Sequence, residues 1–320
     1  MAIIGSDIKE AIRFLMDGNL VGIPTETVYG LAGNALDDEV VLRIFEVKKR
    51  PAFDPLIVHI GTRKALFEFV PGIPQKAEKL AARFWPGPLT LILQKNRIIP
   101  DVVTSGLPTV AVRMPDHPMT LELLNSLSFP LAAPSANPFG YVSPTTAQHV
   151  AEQLGDRIPY ILDGGDCDIG IESTIIGFEG DEPVIHRLGG KSVEEIEDLV
   201  GKVKVIRSSS SRPSGPGMME SHYAPGNKKV FLGHWEQYRS LLDPARTVLI
   251  RYHTPDPDFP RDRQAILSDK ADLREAAKNL FTTLRRFDVP GISYIVAELL
   301  PEEGFGRAIN DRLRRAASKD

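Results

Sequence analysis

The sequence predicts an α/β protein: a mixed sheet with flanking helices, joined by a linker to a smaller α/β unit. Three observations carry this reading. Helical and strand patterns alternate along the chain without a strict repeat. At 320 residues the chain is long for a single hydrophobic core. Composition shifts at "RSSSSRPSGPG", residues 207–217, where serine, proline and glycine cannot build a core.

The first helix is set by Ile8, Ala11, Ile12, Leu15 and Met16 at helical spacing. Ser6 is its expected cap and Gly18 closes it, so the N-terminus reads as a helix. Residues 20–23 form an apolar run of buried-strand type. A second helix starts near Asp37 with Val40, Val41, Ile44 and Phe45 inward, and Pro51 stops it. "PLIVHI", residues 55–60, reads as a strand and "PQKAEKLAARF" as a helix. "LTLIL" and "TVAVRM" are strands, "MTLELLNSL" is a helix, and "PLAAPSA" opens with a strand. "TTAQHVAEQLG" is a helix, then "YILDGG", "STIIGFE" and "PVIHRL" are strands. Beyond the serine-rich stretch, "KKVFLG", "TVLIRY" and "ISYIVAEL" read as strands. "ADLREAAKNLFTTLRRF" and "GRAINDRLRRAAS" read as helices, a small Rossmann-like unit. The expected division is 1–207 for the first domain, 208–227 for a linker and lid, and 228–320 for the second domain.

Composition narrows the function classes. The hydrophobic fraction of 42% and charged fraction of 25% are ordinary for a globular protein. A net charge of −4 gives no global pull toward nucleic acid or membrane, so an anion site must come from local clustering. Cys167 is the single cysteine, which excludes an intrachain disulfide and a multi-cysteine zinc site. No run of 18 apolar residues exists and the N-terminus lacks a basic n-region; a cytoplasmic protein is expected.

Several motifs are near misses. "GGKS", residues 189–192, ends like a phosphate-binding loop, but the glycine that motif requires is Ile185. Ser192 and Glu195 instead suit a capping box for "VEEIEDLV". "GFGRAI" would need a third dinucleotide-binding glycine where Ile309 stands. The acidic stretch "DGGDCDIGIE" lacks calcium-loop spacing and reads as a solvated loop. No G-x-S-x-G elbow is present.

What remains is a recurring arrangement at strand ends. "PTETVYGLAGNAL" crowds hydroxyls behind the strand at residues 20–23. Lys48, Lys49 and Arg50 end a helix, where they either offset its dipole or meet a polyphosphate. His59 lies in an apolar strand, and Arg113 and Arg187 end strands. Ser135, Asn137 and Ser143 occupy a proline- and glycine-broken loop, and Ser173 with Thr174 opens a strand. Ligands of open α/β sheets collect at strand ends, and hydroxyls with cations suit phosphate and a small zwitterion.

The blocks "PTETVYGL", "KKRP…PLIVHI", "WPGPLTLIL", "VAVRMPDHP", "APSANPFG", "ESTII" and "HRLG" follow in order. Through them the chain resembles the threonylcarbamoyl-adenylate synthases, the YrdC-type enzymes of tRNA modification, and "SGPGMMESHYAP" with the second domain resembles their long, two-domain form. The resemblance implies a YrdC-like twisted mixed sheet. It implies that L-threonine, bicarbonate or carbon dioxide, and ATP with Mg²⁺ are joined into threonylcarbamoyl-AMP, releasing pyrophosphate. A separate transferase then acts on tRNA. By resemblance, Thr27, His59, Arg113, Ala133 and Ser173 hold L-threonine. Lys48 and Arg50 meet the ATP phosphates as the catalytic cations. Asp54, Thr109, Ser135, Asn137, Ser143 and Arg187 surround the nucleotide, and Tyr223 folds over the site as a lid.

Asp54 departs from the family, which more often has an uncharged polar residue there. An acid would repel phosphate unless a metal ion or a lysine screens it. Metal ligands are not identified. Thr25 is expected to meet the amino acid, with Gly30 and Gly33 letting the backbone turn close to it. Tyr29 is core or wall, and Glu26 faces either a metal or the amine. Two rival functions stand beside this one: a non-catalytic RNA-binding module, and a carbamoyl-transfer enzyme built on the same domain. The missing basic surplus weighs against the first, and the single cysteine and the chain length against the second.

Overall fold

The computed structural model describes residues 1–206 and 223–318. The expected serine-rich linker, and the expected lid up to residue 222, lie outside the described residues. The first eleven strands are β1 (Ile3–Gly5), β2 (Val21–Ile23), β3 (Gly30–Asn34), β4 (Ile57–His59), β5 (Leu89–Gln94), β6 (Thr109–Arg113), β7 (Leu131–Ala132), β8 (Tyr160–Leu162), β9 (Thr174–Glu179), β10 (Glu182–Arg187) and β11 (Lys204–Val205). They form one mixed sheet in the order β1-β8-β2-β3-β7-β4-β6-β5-β9-β10-β11. Eight helices accompany it: α1 (Ile8–Met16), α2 (Asp38–Lys48), α3 (Leu66–Phe69), α4 (Gln75–Phe84), α5 (Asp101–Thr104), α6 (Pro118–Ser126), α7 (Ala147–Leu154) and α8 (Val193–Val200). A second, all-parallel sheet runs β12-β15-β13-β14, from β12 (Lys229–Leu232), β13 (Thr247–Arg251), β14 (Gln264–Ile266) and β15 (Tyr294–Ala297). Helices α9 (Leu273–Arg286) and α10 (Gly304–Ala317) pack with it.

Local chemistry explains most element ends. Asp37 caps α2 by accepting from the N–H groups of Glu39 and Val40, and Lys49 closes it in the left-handed region at φ 52°. Ser192 and Glu195 form the full capping box of α8. The N-terminus differs from expectation. Residues 3–5 are an edge strand paired with β8, and Asp7, not Ser6, accepts from Lys9 to cap α1. Two isoleucines before a short polar break are a strand signal that the helical periodicity behind them masks.

The centre of the large sheet has a core face and a site face. Val58, Leu91 and Val112 point into the main core, which α2 and α4 cover. The alternate residues Ile57, Ile92, Ala111 and Ile175 cluster on the opposite face. Gly33 belongs to the core side. It sits in β3, not in a turn, and a Cβ there would come within 2.6 Å of Val40 and 2.7 Å of Leu20. Its smallness serves helix–sheet packing rather than approach to a ligand. Gly33→Ala is therefore expected to cost about 1–3 kcal/mol through overpacking. Urea unfolding should show that loss, and Val40→Ala in the same chain should recover part of it.

Candidate active site

Strand register builds the site. His59 of β4 pairs with Arg113 of β6, and Arg113 pairs with Thr90 of β5. Paired residues on neighbouring strands share a face, about 4.8 Å apart. The three side chains therefore line up across the sheet beside Ile57. Parallel pairing of β5 with β9 brings Ser173, just before β9, next to this row, where its Oγ lies 2.7 Å from Thr90 Oγ1. From the other side, the loop after β7 runs against the start of β3 through a Gly30–Ser135 bridge.

Between these segments lies a small crevice of about 50 Å³. Of the expected ligand residues, Thr27, Arg50, His59, Arg113, Ala133, Ser135, Ser173, Arg187 and Tyr223 line it, and Thr25, Gly30 and Glu172 complete its polar wall. With Tyr223 in place, it is smaller than the ~300–1,000 Å³ of ordinary ligand pockets.

Each buried cation is held by the protein. Arg50 donates from Nε to the carbonyl of Asp54 at 2.9 Å, and its Nη2 lies 2.8 Å from Asp54 Oδ2. The screening partner of Asp54 is thus an arginine, not a metal or a lysine. Arg113 pairs with Glu26 at 2.7 Å and reaches the Gly87 carbonyl at 3.4 Å. Glu26 therefore faces a guanidinium. Arg187 donates to the backbone oxygen of Ser173 at 3.0 Å and to its Oγ at 3.1 Å. Burial lowers its pKa to about 10.

Five expected ligand residues do not line the crevice. Lys48 is fully buried and donates from Nζ to the carbonyls of Ser135 and Asn137, each at 2.5 Å. Burial, then the charge of Arg50, lowers its pKa well below the usual lysine value. It shapes the loop that carries Ser135 instead of reaching into the crevice. Asn137 braces the same loop, donating to the carbonyls of Pro138 and Tyr141 at 2.9 Å each. Ser143 donates to Glu172 Oε1 at 2.6 Å, and Asp54 stands behind Arg50. Thr109 is at the far end of β6 from Arg113. Four strand residues span about 13 Å.

The remaining open readings resolve geometrically. Tyr29 is core, with its hydroxyl donating to the Gly165 carbonyl at 2.8 Å. Thr25 donates to the carbonyl of Val28 at 2.6 Å and lies 2.8 Å from Thr27 Oγ1, so it orients Thr27. Tyr223 adopts φ 69°, stacks on Phe281 of α9 at 5.4 Å and lies under the guanidinium of Arg312 of α10 at 5.4 Å. Sequence reasoning missed Thr90, Glu172 and Arg312. Thr90 sits inside a plain apolar strand, and only register shows its neighbour. Among the described residues, no group of three or more His, Cys, Asp or Glu side chains could hold a metal ion, and no helix is long and apolar enough to cross a membrane.

This fold is that of the YciO/YrdC-type α/β proteins. The chain superimposes on Escherichia coli YciO with a TM-score of 0.54 over 61% of this chain and all of that one; at 21% identity this shows the fold alone. The chain belongs to the Sua5/YciO/YrdC family in its threonylcarbamoyl-AMP synthase form. The family described as telomere recombination matches residues 13–189, and the threonylcarbamoyl-AMP synthase C-terminal domain matches residues 191–318. The Pyrococcus abyssi threonylcarbamoyl-AMP synthase is 42% identical over 97% of this chain and 94% of its own. The Bacillus subtilis threonylcarbamoyl-AMP synthase is 40% identical over 97% and 92%. The crystal structure of P. abyssi Sua5 complexed with L-threonine gives a TM-score of 0.90 at 41% identity, covering 99% of this chain and 97% of that one.

Buried titrating groups make the fold acid-sensitive. Burial, reinforced by the charge of Arg113, depresses His59 to about 3, and burial with Arg285 depresses His149 to about 4. In the unfolded chain both take a proton near pH 6.5. Their neutral, folded forms are fully favoured above that pH, and stability is lost as pH falls from about 6.5 toward those values. Burial alone would raise Glu172, but Arg312 and Arg187 hold it at about 2. Its contribution is present above about pH 4.5 and is lost below. The urea midpoint is expected to be flat above about pH 7 and to fall steadily between about pH 6.5 and 4. His59→Asn should make that fall shallower, and an unchanged slope would contradict the assignment.

Proposed function

We propose that this chain joins L-threonine, bicarbonate or carbon dioxide, and ATP into threonylcarbamoyl-AMP in the cytoplasm, supplying a transferase that modifies tRNA. The observation that carries the reading is His59, Arg113 and Ser173, the last hydrogen-bonded to Thr90, in the same crevice as Arg50 and Arg187. One end offers a guanidinium fork with hydroxyls, suited to an amino acid; the other offers cations and a loop of backbone groups, suited to phosphates. The P. abyssi relative holds L-threonine, which supports threonine as the amino acid here.

In the proposed reaction the threonine amine attacks bicarbonate and water leaves, or it adds to carbon dioxide; either gives a carbamate. A carbamate oxygen then attacks the α-phosphorus of ATP. The bond from the α-phosphorus to its bridging oxygen breaks, and pyrophosphate leaves. Arg113 binds the threonine carboxylate, with Glu26 fixing the guanidinium plane. Thr27 and Ser173 meet the substrate hydroxyl and amine. His59, kept neutral by burial, places no positive charge beside the amine. Arg50 and Arg187 stabilise the charge growing on the phosphoryl oxygens. No covalent enzyme intermediate is needed; holding the reactants together contributes up to ~7–11 kcal/mol in favourable cases.

A protein-held Mg²⁺ does not fit these residues. The carboxylates nearest the crevice each lie at ion-pair distance from an arginine, Glu26 from Arg113, Asp54 from Arg50 and Glu172 from Arg312, and among the described residues no group of three or more His, Cys, Asp or Glu could hold a metal ion. Any magnesium would arrive on the nucleotide's own phosphates. The carbamoyl-transfer alternative is not favoured: Cys167 is buried with a raised pKa, and no cysteine cluster exists for a zinc module.

Pyrophosphate release is expected only when threonine, bicarbonate and ATP are all present; release without threonine would sink the proposal. Arg113→Lys keeps the charge and loses the fork, so threonine affinity should drop at least about tenfold while ATP affinity changes little. Calorimetry with each ligand separately reads both values.

A further inference from the structure

Arg312 has no part in the reaction above, yet it is the largest fully buried side chain among the described residues. It comes from α10, on the far side of the chain from the crevice strands. Its Nε and Nη2 both lie 3.0 Å from Glu172 Oε2, and its Nη1 donates to the Leu188 carbonyl at 2.6 Å and lies 3.0 Å from Asp311. The other oxygen of Glu172 accepts from Ser143, and the arginine also covers the ring of Tyr223. Glu172 itself lines the crevice, with Arg187 and Tyr223 in the same wall. An unscreened carboxylate in that wall would repel a triphosphate.

We infer that Arg312 is a positioning residue of the nucleotide site. Acting from the C-terminal unit, it neutralises Glu172, so that this carboxylate fixes Ser143 without opposing the phosphates. The inference rests on the nucleotide reading. It gives the second unit a direct chemical part in a site whose walls otherwise come from the first 187 residues and Tyr223. The same unit also grips the loop next to Ser143: Arg285 donates to the carbonyls of Val142 and Ser143, and Tyr141 bonds to Asp288.

Pyrophosphate release by the full chain, with ATP titrated at saturating threonine and bicarbonate, tests this. Arg312→Met is expected to raise KM for ATP by about tenfold or more and to move KM for threonine far less. Neutralising the partner as well, in Arg312→Met/Glu172→Gln, should recover most of the loss, and the split between KM for ATP and KM for threonine separates this role from a merely structural pair. A double variant no better than the single, or an unchanged KM for ATP in Arg312→Met, overturns the inference. If Arg312→Met does not fold, the double variant decides: folded with near-normal KM supports it, folded with KM raised about tenfold overturns it. Absence of threonine-dependent release in the unaltered protein would overturn the nucleotide reading together with the inference; intact release with insensitive variants overturns the inference alone.

Discussion

The burial of several cations around one small crevice is the constraint on which the rest of the structure depends. Removing an ion from water costs several kcal/mol unless its charge and its hydrogen-bonding capacity are matched. Here the charges are answered from different segments, although Arg113 Nη2 and Glu26 Oε2 make no hydrogen bond among the described residues. Asp54 answers Arg50 from the loop after α2, Glu26 answers Arg113 from the exit of β2, and Glu172 answers Arg312 from the entry to β9. Two loop carbonyls answer Lys48. Three guanidinium groups, Arg50, Arg113 and Arg187, line the crevice against one lining carboxylate, Glu172, which suits an anionic ligand. A chain with net charge −4 thus concentrates positive potential where it is useful.

The arrangement also divides rigid parts from adjustable ones. His59, Arg113 and Thr90 stand on central strands whose register fixes their spacing. Sites on strands hold geometry better than sites on loops. Ser135, Asn137 and Ser143 stand on a loop, and buried partners stiffen it: Lys48 for the first two, Glu172 for the third. Tyr223 is held by packing against α9 and α10 in a backbone conformation that non-glycine residues rarely adopt. That wall rests on ring contacts and an unusual backbone conformation, whereas the strand residues rest on the sheet's register.

Much of this was legible in the chain. Ordered motifs named the family, alternation named the α/β class, and the capping box at Ser192 and Glu195 was readable from spacing alone. The strand-end cations and hydroxyls did converge, as Arg50, Arg113, Arg187 and Ser173 show. The places where packing redirected a residue share a cause. Lys48 and Arg50 look alike in "KKRP", but α2 turns Lys48 into the core and releases Arg50 toward the crevice. Gly33 looks like a ligand-approach glycine, but it makes room for Val40 and Leu20. Residues 3–5 look like the lead-in to a helix, but the edge of the sheet recruits them as a strand.

By itself the sequence determined what is periodic or local: helices, strands, caps, the absence of a cysteine-based site, and the residue types available at strand ends. Tertiary structure alone decided which of those side chains meet. Pairings such as Arg113 with Glu26, Thr90 with Ser173, and Arg312 with Glu172 join residues 83 to 140 positions apart. No local rule encodes such contacts, because they follow from strand register and helix docking, which minimise the exposure of the whole core and leave each polar partner where that packing puts it.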